Sequence, residues 1–239
     1  MKKSMLLLWI LSAFSFNLLM AQSADEIVAT YYKSIGDTGK FQEMQSTKMT
    51  GKAFQMGMEF PFTQLRARPN KSMTTVSVQG AEVIRAFDGE MGWVVNPFMG
   101  GTGAIAMSED ENKEEVRNLF EDQLINYREK GSTLSLEEKE EVNGTACHVL
   151  KLTTTEKDLY YYYMHPEKGY PVMMKSFVSS GEMAGTPVET HYSSYKDVDG
   201  MLMPHSIKTR VNGQTVADVL ITKIEVNVPV KDEDFTMPK

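Results

Sequence analysis

Four Asx-Gly dipeptides punctuate this chain: Asp88-Gly89, Asn143-Gly144, Asp199-Gly200 and Asn212-Gly213. Aspartate or asparagine followed by glycine tolerates the positive φ angles that a two-residue hairpin turn requires. Each dipeptide separates segments of strand-like character, so each predicts a tight reversal between antiparallel strands. A chain reversed this often builds a large antiparallel sheet. Such a sheet has to bury one face, and the rest of the chain must cover it.

Two segments have the helical periodicity to do so. Ser23-Ala24-Asp25-Glu26 reads as a capping box, and Ile27, Val28, Tyr31, Tyr32 and Ile35 follow at helical spacing. Gly36 is placed to end that helix in a left-handed conformation. The second segment spans residues 108–130. Gly100-Gly101-Thr102-Gly103 leads into it, Ser108 and a run of acids give it a helix start, and Val116, Leu119, Phe120, Leu124 and Tyr127 form a helical stripe. This predicts a mobile helical cover. Strands are expected over 71–79, 82–87 and 91–96, and again from about Thr133 nearly to the C-terminus. The expected fold is α+β, with a sheet that curls around these helices.

Residues 1–21 have the form of a secretory signal: Lys2 and Lys3, an apolar stretch from Met5 to Met20, then Ala21. The expectation is an exported periplasmic chain with a single domain over 22–239. Loss of Lys2 and Lys3 takes the formal charge from −7 to about −9. That balance argues against nucleic acid, whose phosphates need a basic face. Cys147 is the only cysteine, so no internal disulfide forms.

Catalytic patterns are missing. The sequence has no His-Glu-x-x-His, Gly-x-Ser-x-Gly, phosphate-cradling Gly-Lys-Ser/Thr loop or cysteine pair. His148, His165, His191 and His205 are scattered, and the acids from Glu109 to Glu115 lack EF-hand spacing. The sequence therefore predicts no enzyme, metal site or cofactor. Methionine is in excess at 18 residues, which suits either ordinary core filling or an adaptable apolar surface. Trp93 fits a core or a cavity equally well. Tyr160 to Tyr163 put aromatic rings on both faces of one strand.

Arg66 and Arg68 share strand parity with Phe60 and Phe62, provided that no bulge intervenes at Pro61. A guanidinium aimed at an apolar face needs hydrogen-bond partners, since burying it alone costs several kcal/mol. Carbonyls or carboxylates of a covering segment would supply them, making Arg68 a gating bond. The alternative is an edge arginine reaching solvent.

Arg68-Pro69-Asn70, Asp88-Gly89, Trp93 and Asn96-Pro97-Phe98, in this order, resemble the periplasmic outer-membrane lipoprotein carrier (LolA-like) family. Tyr195 to Gly200 and Pro204-His205-Ser206 look closer to a Bacteroidetes-type branch of outer-membrane lipoprotein-sorting proteins. The resemblance implies a strongly curved antiparallel sheet, an open half-barrel, covered by the N-terminal helix and an inserted helical lid. It implies a cavity that shelters acyl chains, with Arg68 bonded to the lid. Met58, Phe60, Phe62, Phe87, Trp93, Phe98, Leu119 and Phe120 are the expected lining. The function expected is a monomeric, non-enzymatic carrier of acylated lipoprotein or lipid, exchanging cargo with inner- and outer-membrane partners. The alternative is an envelope sensor of the same fold that signals through a protein partner.

Overall fold

The computed structural model describes residues 23–36, 38–55, 57–101, 103–118 and 120–238. The expected signal segment and Leu119 lie outside the described residues. The chain opens with α1 (Ala24–Ile35) and α2 (Thr38–Glu43), followed by β1 (Ser46–Gln55), β2 (Met58–Ala67), β3 (Lys71–Val78), β4 (Ala81–Phe87), β5 (Gly92–Val95) and β6 (Ile105–Ala106). After α3 (Glu109–Arg117) come β7 (Thr133–Val142), β8 (Thr145–Thr153), β9 (Leu159–Met164), β10 (Pro171–Phe177) and β11 (Pro187–Ser193). A short hairpin of β12 (Lys196–Val198) and β13 (Met201–Met203) precedes β14 (Ser206–Val211) and β15 (Gln214–Val226).

Thirteen of these strands form one antiparallel sheet in the order β6-β5-β4-β3-β2-β1-β15-β14-β11-β10-β9-β8-β7. Two meanders meet where β1 pairs with β15. The expected half-barrel is corrected by this topology. The sheet is an open run with free edges at β6 and β7, and no pairing strongly curls or closes it. The first helix has the expected length of about three turns, 12 residues, but α2 has only 6, and α3 has 9 with no buried side chain.

The inserted helix is corrected too. It ends at Arg117, and residues 118 and 120–132 run as turns and irregular backbone. Asp122 Oδ1 accepts the Leu124 N–H at 2.7 Å, a local bond that competes with helix. Asn126 (φ 53°) and Gly131 (φ 75°) then take positive φ angles that no helix allows. Val116 of the expected stripe is 48% exposed, while Phe120, Leu124 and Tyr127 are buried.

Three Asx-Gly pairs form the expected two-residue turns, with positive φ at both residues of 143–144, 199–200 and 212–213. Gln79-Gly80 does the same without an Asx signal. Asp88-Gly89 differs, since the loop runs from Asp88 to Met91. Asp88 Oδ1 accepts the Glu90 and Met91 N–H groups there. The capping box of α1 is present, with Ser23 and Glu26 each bonding the other's backbone.

The covered face carries two apolar clusters. In one, Ile27, Val28, Tyr31 and Ile35 of α1 pack with Leu124, Ile125, Tyr127 and the strand residues Leu150, Leu152, Tyr160, Tyr162 and Met164. Leu124, Leu150, Leu152 and Met164 are 0% exposed, and burying each such side chain contributes about 1.5–3 kcal/mol. In the other, Met44, Phe62, Phe120, Met201, Met203, Ile221 and Ile224 pack together. Ile221 and Ile224 have opposite strand parity, yet both face this cluster. The pairing of β1 with β15 jumps from Thr50↔Lys223 to Gly51↔Ile221, and this bulge reverses the faces of β15. Gly51 allows the close approach, because a Cβ there would lie 2.1 Å from the Leu220 carbonyl oxygen.

Candidate functional site

Between the covered face of the sheet and the elements above it lies a cavity of about 330 Å³. Met49 of β1, Tyr160 and Tyr162 of β9, Met174 of β10, Ile207 of β14 and Ile224 of β15 form its floor. Tyr31 and Ile35 of α1, Phe41 of α2, Met44 just after it, and residues 117–118, 120–123 and 125 form its roof. The β12–β13 hairpin closes one end with Leu202 and Met203, joined by Tyr195 and Pro204.

That hairpin is locked to the end of α1 and to α2. Gly36 bridges to Met201, and Lys40 Nζ donates to the Asp199 carbonyl at 2.9 Å. A Cβ on Gly36 would stand 2.3 Å from the Gly200 carbonyl oxygen, so the contact requires glycine. Tyr195 stacks on Tyr170 with ring centroids 4.0 Å apart and donates its hydroxyl to the Pro171 carbonyl at 2.7 Å.

Residues 118 and 120–131 are held by the apolar contacts of Phe120, Leu124, Ile125 and Tyr127 and by a set of polar bonds. The β1–β2 register runs through Pro61 without a shift, so no bulge alters the shared parity of Phe62 and Arg66. Arg66 and Arg68 both reach the cavity. Arg68 donates to the carbonyls of Met44 (2.7 Å) and Phe41 (2.6 Å) and pairs with Glu121 at 3.1 Å. Lys130 holds the other oxygen of Glu121 at 3.1 Å. Arg66 donates to the Asn118 carbonyl at 3.2 Å. Phe120 lies under both guanidiniums, 5.1 Å from that of Arg68 and 5.8 Å from that of Arg66. Its N–H donates to the Pro69 carbonyl. At the far end, Tyr127 and Arg128 bond Asp25 of α1, and the Tyr32 hydroxyl donates to the Leu124 carbonyl and accepts the Asn126 N–H.

Burial sets the electrostatics here. Protein atoms displace water around Arg66, although its tip still reaches the cavity, and this pulls its pKa below the usual arginine value. Asp122 is pushed above its ordinary range, first by burial, against the pull of the Leu124 N–H and Lys130. Tyr192 and Tyr195 are pushed well up for the same reason, with Asp122 adding to both.

The expected lining residues are dispersed. Phe120 and Arg68 reach the cavity. Phe62 is buried in the adjacent cluster, and Phe60 is half-buried on β2. Phe87 is fully buried, and Trp93 donates its indole N–H to the Phe235 carbonyl at 2.7 Å. Met58 and Phe98 are 52% and 54% exposed. Sequence reading missed Tyr31, Tyr192, Tyr195, Met203 and Asp122 as cavity residues. The 195–206 motif was visible, but without the fold its place at the cavity end had no signal.

The cavity lining is apolar and aromatic with a few polar groups, the make-up of a binding site. Among the described residues, no group of three or more His, Cys, Asp or Glu could hold a metal ion, and no helix is long and apolar enough to cross a membrane.

No protein-family model matches the chain, and no curated protein matches it. Solved structures do. A DUF1329 family protein from Desulfovibrio piger has a TM-score of 0.58 at 12% identity, covering 90% of this chain and 98% of that one. A LolA superfamily protein from Nitrosomonas europaea has a TM-score of 0.55 at 14% identity, with the same 90% and 98% coverage. A domain described as an outer membrane lipoprotein-sorting protein, from Vibrio parahaemolyticus, has a TM-score of 0.53 at 12% identity over 87% of this chain and 94% of its own. At such identities the likeness is one of fold, and the fold is that shared by LolA superfamily and DUF1329 proteins.

Proposed function

We propose that this protein is a non-enzymatic periplasmic carrier that holds an acyl chain of a lipoprotein or similar apolar cargo between its sheet and cover. The observation that carries this reading is the cavity itself. It is walled by methionine, isoleucine, tyrosine and phenylalanine and roofed by a segment that Arg68 and Lys130 bond through Glu121. Burying a methylene contributes about 0.8 kcal/mol, so affinity grows with chain length without polar contacts. The volume of about 330 Å³ lies at the low end of the ~300–1,000 Å³ typical of ligand pockets. It suits one slender chain better than several. Arg68 holds the 118–131 cover over the cargo, and cargo exchange breaks its bond to Glu121. The fold shared with lipoprotein-sorting structures supports a transport role, and the 195–206 motif supports a place in the Bacteroidetes-type branch.

Native mass spectrometry of the protein recovered from its own periplasm tests this. The expected result is a mass shift matching a co-purified lipid or acylated peptide. A protein that emerges empty, and stays empty when acylated peptide is supplied, contradicts the reading.

A further inference from the structure

The roof and floor of the cavity also present polar groups, and their arrangement is selective. The lining includes the cations Arg66, Arg68 and Arg117 and the acids Glu121 and Asp122. The arginines already have partners: Arg68 binds Glu121 and two carbonyls, Arg117 pairs with Asp158, and Arg66 bonds Asn118. Glu121 is shared between Arg68 and Lys130. Tyr162 stands apart. Its side chain is 1% exposed and belongs to the cavity wall, yet its hydroxyl has no hydrogen-bond partner among the described residues. Asp122 comes near it without meeting hydrogen-bond geometry. A buried hydroxyl left without a partner is costly, and such groups commonly mark a place for a bound molecule.

We propose that the cavity selects amphiphiles whose polar end is an uncharged group that both donates and accepts hydrogen bonds, such as an amide. Tyr162 supplies the donor and Asp122 the acceptor. This deepens the carrier reading above and rests on it. A ligand carboxylate meets Asp122 and Glu121, and finds arginines that must first give up their present partners. A ligand ammonium meets three guanidiniums in the same lining. Against the buried Tyr162 and the already paired side chains, either charged end loses hydration that is not replaced. An amide bonds Tyr162 and Asp122 without displacing an ion pair.

Displacement of the apolar fluorophore N-phenyl-1-naphthylamine by dodecanamide, dodecanoate and dodecylammonium, each in monomeric solution at neutral pH, tests the proposal. The expected order places the amide about tenfold or more ahead of both ions. Tyr162→Phe should weaken amide binding by about three- to tenfold, the size of one hydrogen bond. The loss is read as the ratio of amide to fluorophore affinity within the same variant. The same variant should be at least as stable as the parent when empty, because it removes an unpartnered buried hydroxyl; a purely structural tyrosine would show the reverse. Equal affinities, or an ion that binds more tightly, overturn this selectivity and leave the carrier reading standing. Failure of every ligand and of the fluorophore to bind overturns both.

Discussion

Arg68 Nη2 lies 3.1 Å from Glu121 Oε1, and the same nitrogen donates to the Phe41 carbonyl at 2.6 Å. One guanidinium thus ties the cover segment to the residues around α2. The Arg68 side chain is 26% exposed and that of Glu121 14%, so solvent screens the pair only in part. The remaining bond, to Met44, keeps the arginine fixed from the α2 side when the cover moves.

Replacing Arg68 with leucine removes the pair with Glu121 and leaves two carbonyls without this donor, at a cost of about 1–3 kcal/mol. Amide hydrogen exchange followed by mass spectrometry should show residues 118–131 exchanging faster, with a smaller change in β8 and β9. Release of a bound apolar probe should accelerate as well. Unchanged exchange in 118–131 contradicts the gating role.

Asp122 gives the protein a pH dependence with a definite sign. Its folded-state pKa is raised above the ordinary 3.8, chiefly by burial. Between 3.8 and the raised value, the folded chain keeps a proton that the unfolded chain has lost. Stability from this group therefore falls as pH rises through that window. Asp122→Asn abolishes the effect and keeps an acceptor for the Leu124 N–H. In urea unfolding from about pH 4 to about pH 8, the variant's stability relative to the parent should rise with pH and then level off. A difference that stays flat contradicts the assignment.

Gly51→Ala places a methyl carbon 2.1 Å from the Leu220 carbonyl oxygen and 2.9 Å from the Phe62 ring. The backbone of β15 must give way at the bulge that turns both Ile221 and Ile224 inward. A loss of about 1–3 kcal/mol is expected from overpacking, read as a lower midpoint in thermal unfolding. An unchanged midpoint shows that the two strands are less tightly apposed than described.

Trp93→Phe separates structural from cargo roles. The indole N–H to the Phe235 carbonyl is buried and 2.7 Å long, and losing it costs about 1–3 kcal/mol. Since Trp93 does not line the cavity, probe affinity should be unchanged while stability drops. A loss of affinity at unchanged stability assigns Trp93 to cargo instead.

Local chemistry explains which features were legible in the sequence. The capping box at Ser23 and Glu26, three Asx-Gly hairpins and the stripe of α1 depend on neighbours in sequence, and they form as expected. Phe120, Leu124 and Tyr127 are spaced as on a helix but are buried through turns, because Asp122 and Asn126 break the helix that their spacing suggests. Whether the sheet curls depends on its distant partners, which no window of sequence contains. The aromatic residues near the turn motifs divided between core and surface for the same reason. Phe87 and Trp93 are buried and Phe98 is exposed, whereas the tyrosines that do line the cavity come from α1, β9 and β11. Strand parity worked for Arg66 because β2 keeps register through Pro61. In β15 a bulge at Thr222 swaps the faces, so parity alone does not say which residues of that strand point inward.

The central claim is that the cavity beneath residues 118–131 holds apolar cargo. A fluorescence titration with N-phenyl-1-naphthylamine tests it most directly, comparing the parent with Met174→Trp, which fills the floor of the cavity with a larger ring. The account predicts saturable binding at one site in the parent and its loss in the variant, with circular dichroism showing the same sheet in both. Absent saturable binding in the parent, or equal binding in the two proteins, contradicts it.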